Sequence, residues 1–147
     1  MFQNLPATDV TANGVATIAY LKTLPNSTGK VGAIGFCWGG GSVNNLAVAS
    51  ADLLAAVPYY GAQPTAEDVA KIKGKVMAHY GGLDDRIDAG IPAFEAALKA
   101  NHIDYQIFVY EGANHAFNND TSEARYDKKA AELAWSRTIA FLKQTLV

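Results

Sequence analysis

The sequence predicts an open α/β sheet of parallel strands, flanked by helices on both faces. Short apolar runs alternate with helical segments from residue 11 to the end, an order that joins parallel strands through right-handed crossovers. The 147 residues, half of them apolar, suffice for one core. No repeat, low-complexity tract or Pro-, Gly- or Ser-rich linker divides the chain, which predicts a single domain over residues 1–147.

Taken in order, Val15, Ile18, Ala19, Leu21 and Leu24 recur near helical spacing until Pro25 stops them, which predicts a helix over 12–24. Asn26 to Gly29 make a turn. Residues 30–36 are a short buried strand, and 39–50 a helix whose small N-terminal side chains let it lie close to the sheet. The second strand, LAAVPYY over 54–60, contains Pro58, which disfavours a regular central ladder. A weak helix follows at 66–72. KVMAHY over 75–80 is the third strand, 92–100 lie in an amphipathic helix, and the alternating run 105–110 is the fourth strand. The last helix runs from about 122 to 145.

Charge and cysteine usage exclude several classes of protein. Twelve basic and 14 acidic side chains are scattered to a net charge of −2, with no basic stripe or patch, so neither nucleic acid nor a membrane surface is an expected partner. One cysteine closes no intrachain disulfide and forms neither a CxxC redox pair nor a thiolate-rich zinc site. Neither a metal nor an organic cofactor is expected. No apolar run approaches the ~20 residues of a membrane span, and the opening MFQNLPATDV lacks the regions of a signal peptide. The expected compartment is the cytoplasm.

Ligand chemistry in open α/β sheets collects at the carboxyl ends of the strands. Three candidates stand there: Cys37 in GFCWGG after the first strand, Asp84 and Asp85 in GGLDDRI after the third, and His115 in EGANHAF after the fourth. Each has an ordinary alternative. A lone cysteine is commonly a packing group, a loop histidine needs no role, and acidic residues after Gly81-Gly82 are common turn formers. Their order, nucleophile then acid then histidine, is that of the α/β-hydrolase arrangement, with G-x-C-x-G in place of the G-x-S-x-G elbow. Asp84 is preferred to Asp85.

The elbow explains the glycines around Cys37. Gly35 and Gly39 remove side chains that would clash with a sharp turn and the adjoining strands. The helix beginning behind Cys37 turns its positive end toward the sulfur, and the backbone N–H of Trp38 points where an oxyanion would form. His115 can carry a proton between sulfur and leaving group while Asp84 fixes its tautomer. His79, within a strand, is expected in the core or an interface, and His102, after a helix end, as a capping or solvent residue. Tyr59, Tyr60 and Trp38 are expected to pack, with Trp38 also a candidate pocket wall.

The segments KVGAIGFCWGGG, AAVPYYG, KVMAHYGGLDDRI and YEGANHAF, in this order, resemble the dienelactone hydrolase family, and the likeness extends from about residue 9 over nearly the whole chain. The resemblance carries the family's nucleophile onto Cys37, its acid onto Asp84 and its base onto His115. It implies hydrolysis of a lactone or ester through a thioester acyl-enzyme. Two departures stand out. Family members place a serine directly after the histidine and an arginine three residues further on to hold a substrate carboxylate; Ala116 and Asn119 occupy those places. Without that guanidinium, dienelactone is a doubtful substrate, and a neutral or differently shaped ester is as plausible.

Members also carry further chain ahead of the position where this one begins, with the first strands, another substrate-binding arginine, a glutamate near the thiol and one oxyanion donor. By that resemblance this is the C-terminal portion of an α/β-hydrolase type sheet lacking the N-terminal strands. The strand before Cys37 would then be an edge with unpaired N–H and C=O groups, which predicts self-association or pairing with a separate N-terminal piece. The rival reading is a catalytically inactive truncated domain that acts at most as an assembly or binding module.

Overall fold

The structure, a computed structural model, describes residues 6–147. Four parallel strands, β1 (Val31–Phe36), β2 (Leu53–Tyr59), β3 (Lys75–Gly81) and β4 (Tyr105–Tyr110), lie side by side in chain order. When each strand takes the place next to the last, crossovers of one hand all fall on one face. Helices α2 (Trp38–Ala49), α3 (Ala66–Val69), α4 (Asp85–Asp88) and α5 (Ile91–Ala100) share that face, joined by α1 (Ala7–Thr23). The opposite face is left to α6 (Lys128–Leu146).

The two-residue period of a strand divides the core between these faces. Ala56, Val76, Ala78 and Tyr80 pack with Ile18, Val43, Phe94 and Leu98. Ala55, Val57, Tyr59 and Met77 pack with Ala130, Ala134 and Phe141 of α6. The middle strands are therefore apolar on both sides, as parallel strands covered twice must be. Each fully buried aliphatic side chain such as Leu53 or Leu98 contributes ~1.5–3 kcal/mol through removal from water.

The structure revises two sequence expectations, both of them helix starts. α1 starts at Ala7 rather than 12, because Thr11 does not cap it; its hydroxyl donates to the Ala7 carbonyl at 2.9 Å, inside the helix. The last helix starts at Lys128 rather than about 122, where the Asp127 carboxylate accepts the Ala130 N–H at 2.9 Å. Residues 85–88, to which the sequence pattern assigns no element, form α4 with Asp84 as its cap. Pro58 does lie in an interior strand, paired with Gly35. Its missing N–H coincides with a gap in the ladder to β3, which runs to Ala56↔Val76 and resumes at Tyr59↔His79.

Among the described residues β1 pairs with β2 alone, so its outer edge carries no ladder. Phe36 at its end is 40% exposed. Among the described residues no helix is long and apolar enough to cross a membrane.

Candidate active site

Cys37 sits between β1 and α2 with φ 56° and ψ −120°. For a residue with a Cβ this costs ~1–3 kcal/mol, and it persists because both backbone groups are held. The Cys37 N–H donates to the Tyr59 carbonyl at 3.0 Å, and the Cys37 carbonyl accepts the Gly40 N–H at 2.9 Å. The strained turn leaves the thiol exposed at the N-terminus of α2, where the helix dipole favours negative charge.

The space for the turn is made by Gly35 and Gly40, not by Gly39 as the sequence pattern led us to expect. A Cβ on Gly35 would stand 2.1 Å from the Gly39 carbonyl oxygen, and one on Gly40 would stand 2.5 Å from the Tyr59 oxygen. A Cβ on Gly39 meets nothing within 4 Å. Gly35→Ala and Gly40→Ala are expected to lower the thermal midpoint by roughly 3–10 °C. Gly39→Ala should hold or raise it, since alanine favours the helix; circular dichroism melting separates the three variants.

His115 lies in the turn after β4, with Nε2 3.1 Å from the Cys37 sulfur. Its Nδ1 is hydrogen-bonded to Oδ2 of Asp84. Asp84 is 8% exposed, and its Oδ1 accepts the Ile87 N–H at 3.4 Å. These residues meet because β1, β3 and β4 are parallel, so the segments after them leave from one rim. The two loops are tied together: the Gly82 N–H donates to Tyr110 O at 2.9 Å, and the Leu83 N–H donates to Ala113 O at 3.0 Å. Asp85 is exposed in the first turn of α4, and the carboxylate that His115 bonds is that of Asp84. Trp38, the first residue of α2, is 52% exposed.

Two hollows reach the sulfur. One, of about 350 Å³, is lined by Trp38, Ser42, Asn45, Tyr60 and His115 as well as Cys37. The other, of about 320 Å³, has Phe36, Tyr60, Ala116 and Asn119 beside Cys37. Tyr60, expected only to pack, walls both. Its ring centroid is 5.1 Å from that of His115, and burial first, then the neighbouring Cys37, pushes its phenol well above the usual tyrosine range. No sequence signal separated it from Tyr59, because adjacent tyrosines at a strand end read alike.

His79 is wholly buried beneath this rim. Nδ1 pairs with the Tyr110 hydroxyl at 2.9 Å and Nε2 with Thr138 Oγ1 at 3.1 Å. Thr138 in turn bonds the Tyr59 hydroxyl at 2.7 Å, and Arg137 donates to Tyr110 at 3.2 Å while lying 4.0 Å over the Phe108 ring. Burial, reinforced by the Arg137 charge, pushes His79 down to about 3. It is a neutral core histidine. His102 is exposed with φ 55° just after α5, and its N–H donates to Lys99 O at 3.1 Å. Among the described residues no group of three His, Cys, Asp or Glu side chains is placed to hold a metal ion.

A parallel sheet between helical layers, with a cysteine on a strained strand-to-helix elbow and an acid and a histidine after later strands, defines an α/β-hydrolase type fold. The sequence matches the model of the dienelactone hydrolase family over residues 1–146. It is 38% identical over 127 residues to a putative carboxymethylenebutenolidase of Saccharolobus solfataricus, covering 86% of this chain and 49% of that one. The carboxymethylenebutenolidase of Pseudomonas putida is 35% identical over 130 residues, 86% and 54% of the two chains. The crystal structure of a putative dienelactone hydrolase from Klebsiella pneumoniae superposes with a TM-score of 0.87 at 26% identity, covering 98% of this chain and 64% of that one. The chain belongs to the dienelactone hydrolase family. It spans about half the length of the curated relatives it matches.

Proposed function

We propose that the chain carries the acyl-transfer centre of a hydrolase that cleaves a lactone or carboxylic ester through a thioester on Cys37. The observation that carries this reading is the hydrogen-bonded run from the Cys37 sulfur through His115 to the buried carboxylate of Asp84. The family and the relatives named carboxymethylenebutenolidase support a hydrolase.

In this mechanism His115 Nε2 takes the thiol proton as the sulfur attacks the carbonyl carbon, and the carbonyl π pair moves to oxygen. The Trp38 N–H donates to that oxyanion. Collapse breaks the bond to the leaving oxygen, which receives the proton from His115 and departs as an alcohol. His115 then deprotonates water, the hydroxide attacks the thioester, and the acid leaves as the sulfur regains its proton. Asp84 accepts the Nδ1–H throughout, holding the tautomer that leaves Nε2 free to accept and stabilising the imidazolium between steps.

Mass spectrometry after brief exposure to 4-nitrophenyl acetate tests the reading. Acetyl is expected on Cys37 and absent from Cys37→Ser. A native chain that forms no adduct and whose thiol reacts with iodoacetamide no faster than an unfolded control would overturn it and leave the inactive domain.

We also propose that the open edge of β1 pairs with the same edge of a second copy. A strand edge is a template for another strand, and a two-fold axis makes one edge complementary to itself. Light scattering over a concentration series is expected to show a dimer; monomer at the highest concentration would end the proposal.

A further inference from the structure

The 350 Å³ hollow at the sulfur does not end at the catalytic rim. It shares Ala7 and Asn45 with a larger hollow of about 610 Å³ between α1 and α2. One face of α2 lines both. Trp38, Ser42 and Asn45 border the first space, and Asn45, Val48 and Ala49 border the second, at the three- and four-residue steps that put helical side chains on one face. At 1.5 Å per residue this face runs ~16 Å from Trp38 to Ala49. Thr11, Ala12 and Val15 of α1 form the opposite wall.

The larger hollow has little with which to hold a polar ligand. Among the described residues that line it, Asp68 is the only ionisable one, and its carboxylate is already engaged by Lys71 at 2.6 Å and by the Thr65 hydroxyl at 2.9 Å. The Thr11 hydroxyl donates to the Ala7 carbonyl at 2.9 Å, which leaves its methyl for the hollow. The surface that remains is mostly aliphatic, elongated and continuous with the space around a nucleophile. A narrow, uncharged, flexible group matches it, since such a group gains from leaving water and needs no hydrogen bond.

The acyl-transfer reading, on which the inference rests, says how that group arrives. Acyl transfer bonds the substrate to the Cys37 sulfur, so a chain too long for the 350 Å³ hollow has the space between α1 and α2 as its continuation. The 320 Å³ hollow shares no lining residue with that space and is left for the other half of the ester. We propose that the groove between α1 and α2 is an alkyl subsite through which the chain selects esters bearing an unbranched aliphatic chain over short ones.

The test measures kcat/KM in two series. One compares 4-nitrophenyl octanoate with the butyrate, the other octyl acetate with butyl acetate. One of the two ratios is expected near ten, because half-burial of each of four added methylenes contributes roughly a factor of two; the series that shows it tells whether the acyl or the alcohol chain enters the groove. Ala12→Phe and Ala49→Phe fill the groove from its two walls, and each should cut that ratio about fivefold. Asn13→Phe adds the same ring at an exposed position outside the lining and should keep it. Ratios near one in both native series, or an equal fall in Asn13→Phe, would overturn the subsite. So would flat ratios together with a dimer that Ala12→Phe dissolves, which would give the groove to a second copy of the chain.

A second readout needs no hydrolysis. The Cys37 thiolate attacks the sulfenyl sulfur of an alkyl methanethiosulfonate; the new S–S bond to Cys37 forms, the bond to the sulfonyl sulfur breaks, and methanesulfinate leaves. The rate with the octyl reagent over that with the butyl reagent, followed by mass spectrometry, should be near ten in the native chain and fall about fivefold in Ala12→Phe. If the native chain hydrolyses none of the esters, the acyl-transfer reading fails by itself, and this ratio decides the subsite: a fall in Ala12→Phe supports it and constancy rejects it.

Discussion

Asp84→Asn is expected to slow acylation of Cys37 by about 10³- to 10⁴-fold, the scale of loss when a triad carboxylate becomes an amide. The reason is the direction of a proton. With the carboxylate in place, Nδ1 of His115 carries hydrogen and donates to Oδ2, and Nε2, 3.1 Å from the sulfur, is free to accept. An asparagine that keeps the Ile87 N–H on its oxygen presents its NH₂ to Nδ1. The ring then takes the other tautomer, with Nε2–H toward the sulfur, and cannot remove the thiol proton. Asp85→Asn is the matched control: Asp85 is exposed in the first turn of α4, and its loss should change the rate less than twofold. The burst phase with 4-nitrophenyl acetate measures both, and equal rates in the two variants would remove Asp84 from the mechanism.

The second large effect concerns stability in acid. His79 is neutral in the folded protein down to about 3, chiefly through burial and then the Arg137 charge. In the unfolded chain it protonates near its ordinary value of ~6.5. Between those values the unfolded state binds one more proton than the folded state, so stability rises with pH across this window. The contribution is complete above about pH 6.5 and is lost progressively as the pH falls toward 3, at up to ~1.4 kcal/mol per pH unit for this one group. Among the described residues no acidic side chain faces the ring to offset the effect; Tyr59, Phe108, Tyr110 and Thr138 surround it, with Arg137 beyond Tyr110. Urea unfolding at a series of pH values between 7 and 4 should show this slope. His79→Gln keeps polar atoms for Tyr110 and Thr138 and binds no proton, so its slope should be shallower; an identical slope would show that His79 does not set the acid response.

Much of the sheet was legible because strands buried on both faces announce themselves as short apolar runs. Val31–Phe36, Leu53–Tyr59, Lys75–Gly81 and Tyr105–Tyr110 lie within one residue of the expected strands. The helix starts were less legible, since a threonine or aspartate before an apolar stretch is equally able to cap a helix or to sit inside one. Thr11 bonds back to Ala7 within α1, whereas Asp127 caps α6. Local pattern alone does not tell the two apart.

The candidate site divides in the same way. A cysteine between glycines, an acid and a histidine, each after a strand, can be found by reading along the chain, because parallel strands deliver everything that follows them to one rim. Features that depend on depth and on the third dimension were out of reach. Only the packed molecule shows that Gly40 rather than Gly39 faces the Tyr59 carbonyl, that Tyr60 walls the sulfur, and that Arg86 and Arg125, distant in sequence, line one space beside His115. Periodicity records which side of an element is apolar; it carries no record of which neighbour from elsewhere in the chain comes to lie against it. That is decided when the layers close and each side chain competes for the volume left by the others.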